Sequence, residues 1–180
     1  MAAALRSATR PAPALLIAAT AVIVSACQMS FSTGGLDYDK LETAITDELN
    51  TTYESVGQQV SSLECPRESP SPGKGDSLIC TAEVGDQQVR VEATVTDEDY
   101  NVDFVTLDTL YDLSQTGAVL SEEISAQLGF PVTVTCGEGL RAVEVGSTLD
   151  CMAADELGAE RVVQITASPV GEDDQWELLE

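Results

Sequence analysis

A six-residue stretch that ends in cysteine occurs twice in this chain, each time behind another cysteine at the same distance. The copies are Gly-Asp-Ser-Leu-Ile-Cys at residues 75–80 and Gly-Ser-Thr-Leu-Asp-Cys at residues 146–151, which lie 71 positions apart. An earlier cysteine, Cys65 or Cys136, stands 15 positions before the cysteine that ends each copy. This repetition predicts two tandem modules, each closed by its own pair of cysteines.

Small modules need such a covalent constraint. A unit of roughly 70 residues buries a core that gives only marginal stability, and it is usually reinforced by disulfides or metals. We therefore predict the disulfides Cys65–Cys80 and Cys136–Cys151, because paired cysteines are typical of exported proteins. Zinc binding by the four cysteines and thiol exchange are the alternatives, but the spacing is far from that of Cys-x-x-Cys sites.

The N-terminal residues have the pattern of a secretory signal. Residues 1–13 carry Arg6 and Arg10 and no acidic residue, and residues 14–24 form an apolar run. Eleven apolar residues are too few to span a bilayer as a helix, whereas a basic flank and a short apolar core are typical of an export signal. We predict that residues 1–26 are a signal peptide.

The end of this segment resembles the bacterial lipobox, in which a cysteine is lipidated and becomes the mature N-terminus. The apolar run ends in Val-Ser-Ala-Cys at residues 24–27, which makes Cys27 the predicted lipidation site. Five cysteines would leave one unpaired in an exported chain. If Cys27 is lipidated, the other four cysteines can form two disulfides. The alternative is an ordinary cleavage site with an incidental cysteine. Residues 27–35 are then a lipidated tether to the membrane.

The first predicted module covers residues 36–108 and begins with a helix. Apolar residues recur at helical spacing between residues 39 and 58, with Asp39 as the expected N-cap. Strand-like runs follow, and Gly-Asp at residues 85–86 has the composition of a hairpin turn. The four predicted strands cover residues 60–65, 77–84, 88–96 and 101–107.

The second predicted module covers residues 109–180 and repeats this order. Its helix is expected at residues 115–128, capped by Ser114 and ended by Gly129. Strands follow at residues 132–136, 161–167 and 175–179. The single aromatic residue of the last strand is Phe104 in one copy and Trp176 in the other. We interpret both as core residues, with an exposed aromatic binding patch as the alternative.

These patterns predict an α+β fold of two tandem modules. In each module, one amphipathic helix packs on a roughly four-stranded antiparallel sheet that contains one internal disulfide. A single sheet with one apolar face needs a cover, and the helix provides it.

The motifs resemble those of an actinobacterial family of exported proteins, the domain of unknown function 4333. The resemblance rests on Cys-Pro at residues 65–66, Gly-x-x-Leu-x-Cys at residues 75–80, the valine-rich strand at residues 89–95, and Phe104. The second copy has Gly137 where this family has proline. The resemblance implies an exported protein and no particular activity.

Composition excludes several classes of function. The chain has 8 basic and 31 acidic residues, so its charge repels nucleic acid. It contains no histidine, which excludes Ser-His and Cys-His nucleophile pairs and histidine-ligated zinc. We therefore expect no nucleic-acid partner, no cofactor and no enzymatic activity.

One acidic segment resembles the first part of a calcium loop. Asp97, Asp99, Asn101 and Asp103 place oxygen ligands at alternate positions, but Val102 stands where such a loop has glycine. We interpret the segment as an acidic hairpin turn and keep calcium binding as an alternative.

The sequence thus predicts an exported protein that is lipid-anchored on the extracytoplasmic face of the cell membrane. We expect a non-catalytic binding or interaction module whose partner is an unidentified envelope protein or ligand. A structural spacer of the envelope is the first alternative, and a secreted enzyme or a calcium-binding module is the second.

Overall fold

The computed structural model describes residues 35–179 as a mixed α+β fold with two α-helices and three antiparallel sheets. The lipidation site Cys27 and the signal segment 1–26 lie outside the described residues. The elements of the N-terminal half are α1 (Tyr38–Tyr53), a short 3-10 helix (Glu54–Val56), β1 (Val60–Glu64), β2 (Ser77–Val84), β3 (Gln87–Val95) and β4 (Val102–Thr106). Those of the C-terminal half are β5 (Asp108–Asp112), α2 (Leu113–Leu128), β6 (Val132–Thr135), β7 (Leu140–Glu144), β8 (Thr148–Asp155), β9 (Glu160–Thr166) and β10 (Gln175–Leu178).

Helix α1 forms as the apolar spacing predicts, but the predicted cap was wrong. Asp37, not Asp39, is the N-cap, and its carboxylate accepts a hydrogen bond from the backbone N–H of Lys40. Asp39 lies inside the first turn, where its negative charge interacts favourably with the positive end of the helix dipole. The buried stripe of α1 consists of Tyr38, Leu41, Ala44, Ile45, Leu49 and Tyr53.

Helix α2 also begins earlier than predicted. Asp112 is its N-cap and accepts hydrogen bonds from the backbone N–H groups of Ser114 and Gln115, so the predicted cap Ser114 is in the first turn. The extended backbone of Asp112, with φ of -84° and ψ of 108°, gives it the conformation of an N-cap residue. Gly129 ends the helix in the left-handed conformation, with φ of 77°, as predicted.

The two larger sheets have the same internal order. One is β1-β2-β3-β4 and the other is β6-β8-β9-β10, each antiparallel throughout. The observed strands agree with the predicted ones to within a residue at most ends. The disulfides Cys65–Cys80 and Cys136–Cys151 are formed, with Cα–Cα distances of 4.1 and 4.3 Å. In each sheet the bridge therefore ties an edge strand to its inner neighbour just beyond the hydrogen-bonded ladder.

The prediction missed a third sheet, the two-stranded ribbon of β5 and β7. Strand β5 begins at the predicted boundary between the two modules, and β7 lies in the segment between the two cysteines of the second pair. The corresponding segment of the first half is the proline-rich stretch 66–75, in which no strand forms. Strand β7 of the ribbon thus has no counterpart between the two cysteines of the first half.

The ribbon lies between two hydrophobic cores. Leu110 of β5 belongs to the core beneath α1, and Ala142 of β7 packs against that core. Tyr111 and Val143, the next residues along the same strands, belong to the core beneath α2. Since successive side chains of a strand point to opposite faces, one ribbon contributes to both cores and joins the two halves of the chain.

An ion pair reinforces this junction. The guanidinium of Arg90, on β3, donates to both carboxylate oxygens of Asp108, on β5, at 2.8 and 2.7 Å. The backbone N–H of Arg90 also donates to Asp108, at 2.8 Å, and Glu144 of β7 lies 3.2 Å from the same guanidinium. Asp108 is only 6% exposed. The pairing with Arg90 lowers the pKa of this carboxyl despite its burial.

Both helices shield a sheet edge. In the first half, Asn50 of α1 accepts a hydrogen bond from the N–H of Val60, at the start of β1. In the second half, Ser121 of α2 accepts from the N–H of Val134 in β6. Gly117 makes this approach possible, because a Cβ there would lie 2.8 Å from the carbonyl oxygen of Val134.

Within residues 35–179, neither helix is long and apolar enough to cross a membrane.

Asp108→Asn tests the ion pair. We expect it to lower the free energy of unfolding at pH 7 by about 1–3 kcal/mol, because a charge-assisted pair at a nearly buried site is lost. A carboxyl whose pKa is lower in the folded state stabilises the fold above its unfolded pKa of about 3.9, and loses that effect as the pH falls through the folded pKa. The difference in free energy of unfolding between variant and wild type should therefore shrink in this acid range. Urea unfolding at pH 7 and pH 3 measures this difference.

The matched control is Asp103→Asn, at an exposed position of β4. It should change stability by no more than about 0.5 kcal/mol. An Asp108→Asn effect as small as that of the control would show that Arg90 and Asp108 do not hold the junction.

Candidate binding cleft

A cleft of about 640 Å³ lies where the ribbon, α2 and the second large sheet meet. Its size is in the range of ligand sites in proteins. Strand β5 contributes four consecutive residues, 109–112, and the 3-10 helix of the N-terminal half contributes Val56. Helix α2 contributes Gln115, Thr116, Val119, Leu120 and Glu123, and the opposite wall contains Ile165, Asp173, Asp174 and Trp176. Both halves of the chain therefore form the cleft.

The inner surface of the cleft is apolar. Leu120 and Ile165 are buried residues of the second core, and Trp176 is half-buried beside them. Val119 is 56% exposed, although it is a large apolar residue that follows the cleft-lining face of α2 next to the buried Leu120. An exposed apolar side chain that borders a concave surface is typical of a contact site.

The rim of the cleft is acidic. Asp112, Glu123, Asp173 and Asp174 line it, and no lysine or arginine is among the described residues that line it. Carboxylates around a concave, partly apolar surface concentrate negative potential there. The cleft is thus suited to a group with positive charge.

Two of these carboxylates are held in fixed positions. The Tyr111 hydroxyl donates to Asp174 Oδ2 at 2.8 Å, and the backbone N–H of Ser168 donates to Asp174 Oδ1 at 2.9 Å. Burial, and then the hydrogen bond to Asp174, raise the pKa of Tyr111 further above neutral pH. Asp112 is held as the N-cap of α2. These two carboxylates therefore do not need to be ordered when a ligand binds.

The loop that carries Asp173 and Asp174 is attached to the ribbon. Thr109 of β5 donates from its hydroxyl to the carbonyl of Ser168, and the Ser168 hydroxyl donates to the carbonyl of Asp173 at 3.0 Å. The wall opposite α2 is thus bonded to the strand that forms the base of the cleft.

The calcium-like segment lies elsewhere, in the turn between β3 and β4. Asp97 accepts hydrogen bonds from the backbone N–H groups of Asp99 and Asn101 and from the Asn101 side chain. The side-chain bond from Asn101 is the main cause of the lowered pKa of Asp97. This geometry is that of the acidic turn that we predicted. Across residues 35–179, no three His, Cys, Asp or Glu side chains are grouped so as to hold a metal ion. Calcium binding by Asp97, Asp99, Asn101 and Asp103 stays an alternative to the acidic turn.

The two aromatic residues at matched positions have different surroundings. Both are half-buried and pack against a core, as the core interpretation requires. Only Trp176 also borders the cleft. The prediction missed the cleft itself and the roles of Tyr111 and Asp174, because these residues are 63 positions apart and their contact depends on the ribbon.

Fluorescence quenching tests the acidic rim, because Trp176 is the only tryptophan of the chain. We divide each quenching constant by that of free N-acetyltryptophanamide with the same ion, and we expect the resulting ratio of cesium to iodide to exceed one, since the carboxylates attract cations. Glu123→Gln with Asp173→Asn should bring this normalised ratio closer to one by about half. The measurement is a Stern–Volmer titration at constant ionic strength.

The matched control changes two charges away from the cleft, Glu156→Gln with Glu160→Gln, at the turn before β9. Glu160 is five residues along β9 from Ile165, which is roughly 16 Å. An equal change in both double variants would attribute the effect to the net charge of the chain rather than to the cleft.

Comparison with known proteins gives one match. The family model described as "Domain of unknown function (DUF4333)" matches residues 20–99, which include α1, β1, β2 and β3. No curated protein and no solved structure matches the chain. The resemblance to this family that the motifs predicted is thus supported for the N-terminal half, and the description of the family names no function.

Proposed function

We propose that this protein is an exported, lipid-anchored component of the cell envelope that binds a ligand or partner without catalysis. The cleft between the ribbon, α2 and the second sheet is the observation that carries the proposal. It combines an apolar interior with fixed polar groups, which is the usual character of a binding site. A protein that served only as a spacer would have no need of such a surface.

The proposal includes two tandem copies of one module. The register of the strands supports this, since equivalent residues pair in the two large sheets. Ala93 pairs with Phe104 in the first, and Ile165 pairs with Trp176 in the second. The repeated cysteine stretch supports it as well. The N–H of Gly75 donates to the carbonyl of Val95, and the N–H of Gly146 donates to that of Ala167, both at 2.8 Å. The second copy differs from the first in the β5–β7 ribbon, and this ribbon forms the base of the cleft.

The absence of histidine from the sequence supports a non-catalytic role. The polar groups of the cleft are carboxylates, amides and hydroxyls, and the pKa of Tyr111 is raised further above neutral pH by burial and by its bond to Asp174. These groups can orient a ligand, and such a set is common in binding proteins.

The predicted lipid on Cys27 would place this cleft close to the membrane surface. Eight residues, 28–35, separate Cys27 from the first described core residue, Leu36. Fully extended, they span at most roughly 29 Å. The ligand or partner should therefore be found near the outer face of the cell membrane.

Cys27→Ala tests the anchor. We expect the variant to leave the detergent phase of a Triton X-114 extraction and to appear in the aqueous phase or the medium, because no acyl chains remain to hold it. Fractionation with antibody detection measures this, and intact mass of the wild type should show acylation at the N-terminal cysteine. A variant that stays in the membrane fraction would contradict lipid anchoring.

Site-specific crosslinking in intact cells tests the cleft. A photo-reactive residue at Val119 should give a defined crosslinked species, because this side chain is 56% exposed at the cleft. The matched control is Ile79, which is 49% exposed on β2 and does not line the cleft. Crosslinks at 119 no more abundant than at 79 would favour the spacer alternative over a binding module.

A further inference from the structure

Four consecutive residues of β5 border the cleft, and this pattern has a geometric meaning. Thr109, Leu110, Tyr111 and Asp112 all line it. Side chains of a strand alternate between its two faces, so a cleft that lay against one face would be lined by every second residue only. Contact with four in succession means that the cleft runs along the edge of β5.

This edge is the one opposite β7. Strand β5 pairs with β7 and with no other strand among the described residues. The N–H of Leu113 donates to the carbonyl of Gly139, on the β7 side. Because hydrogen-bonding direction alternates along an antiparallel strand, the backbone N–H and C=O of Leu110 point away from β7, toward the cleft.

A second edge strand faces the same cleft. Strand β10 is the outermost strand of its sheet, and Trp176 of this strand lines the wall opposite α2. Unpaired strand edges are templates for another strand, and many peptide-binding proteins bind their ligands by adding them to such an edge.

The side chains around this edge select a particular composition. Glu123 and Asp173 are exposed on opposite walls of the cleft, and Asp112 and Asp174 lie with them. Lysine or arginine side chains of an added strand would meet these carboxylates on either wall, and a cation could also stack on Trp176. Apolar side chains between them would meet Val119 and Leu120 on α2. A small polycation would leave the apolar surface exposed to water.

We infer that the cleft binds an extended peptide segment in which basic and apolar residues alternate, paired through its backbone with the free edge of β5. This inference rests on the proposed binding function of the cleft and specifies the chemical class of its ligand. The segment belongs to a partner protein at the outer surface of the membrane. Its backbone supplies the hydrogen bonds, and its positive charge supplies the selectivity.

Synthetic peptides test the inference on the soluble form of the protein, residues 28–180. The probe is the acetylated and amidated hexapeptide of alternating lysine and valine, titrated against the fluorescence of Trp176 and by calorimetry. We expect saturable binding at least tenfold tighter than that of two control peptides. One control replaces lysine by glutamate, and the other replaces valine by glycine.

The role of the backbone is tested separately. The same lysine–valine peptide with N-methyl groups on alternate residues is made in two forms, one for each edge of the strand. Only one edge of the ligand can pair with β5, so one form should lose at least tenfold in affinity while the other binds like the parent. Equal affinity of both forms and the parent would overturn strand pairing.

Protein variants complete the experiment. Glu123→Gln with Asp173→Asn should weaken binding of the lysine–valine peptide about tenfold, whereas Glu156→Gln with Glu160→Gln should leave it unchanged. Equal weakening in both would show attraction to net charge alone and would overturn the inference. If the peptide fails to bind while residue 119 still crosslinks to a partner in cells, the binding function stands and the inferred ligand class is wrong.

Discussion

The architecture depends on one strand pair that belongs to two cores at once. Leu110 completes the core under α1, while its neighbour Tyr111 completes the core under α2. The bonds between Arg90 and Asp108 hold that pair against the first sheet at a nearly buried site. Without this ribbon the two halves would have no shared interior, and the cleft would lose β5, the strand that forms its base.

The predictable part of the fold follows from local patterns. Alternation along residues 89–95 and helical spacing between Leu41 and Tyr53 each reflect one apolar face, so a single sequence shows them clearly. The caps were misplaced because several carboxylates and hydroxyls compete near each helix start, and the backbone of Asp37 and Asp112 decides between them. The cysteine pairs were predictable because the same spacing occurs twice.

The ribbon and the cleft were not predictable for a different reason. Strands β5 and β7 are five residues each, and β5 buries the adjacent residues Leu110 and Tyr111 on opposite faces, so it lacks the alternation of a half-buried strand. No sequence pattern marks Asp108 as buried, since an acidic residue gives no sign of burial until its partner is known. Tyr111 and Asp174 are 63 positions apart in the sequence, and only the tertiary fold brings them into contact. Tertiary contacts of this kind have no local signature.

The hydrogen bonds from the two helices to the outer strands affect how copies of the protein interact at high density on a surface. Asn50 and Ser121 occupy backbone N–H groups at the outer edges β1 and β6, which would otherwise be open to pairing between neighbouring molecules. The proposed lipid anchor would confine every copy to a thin layer, where the local concentration is far above that in solution. Covering these edges removes one route to sheet extension between copies at such a concentration.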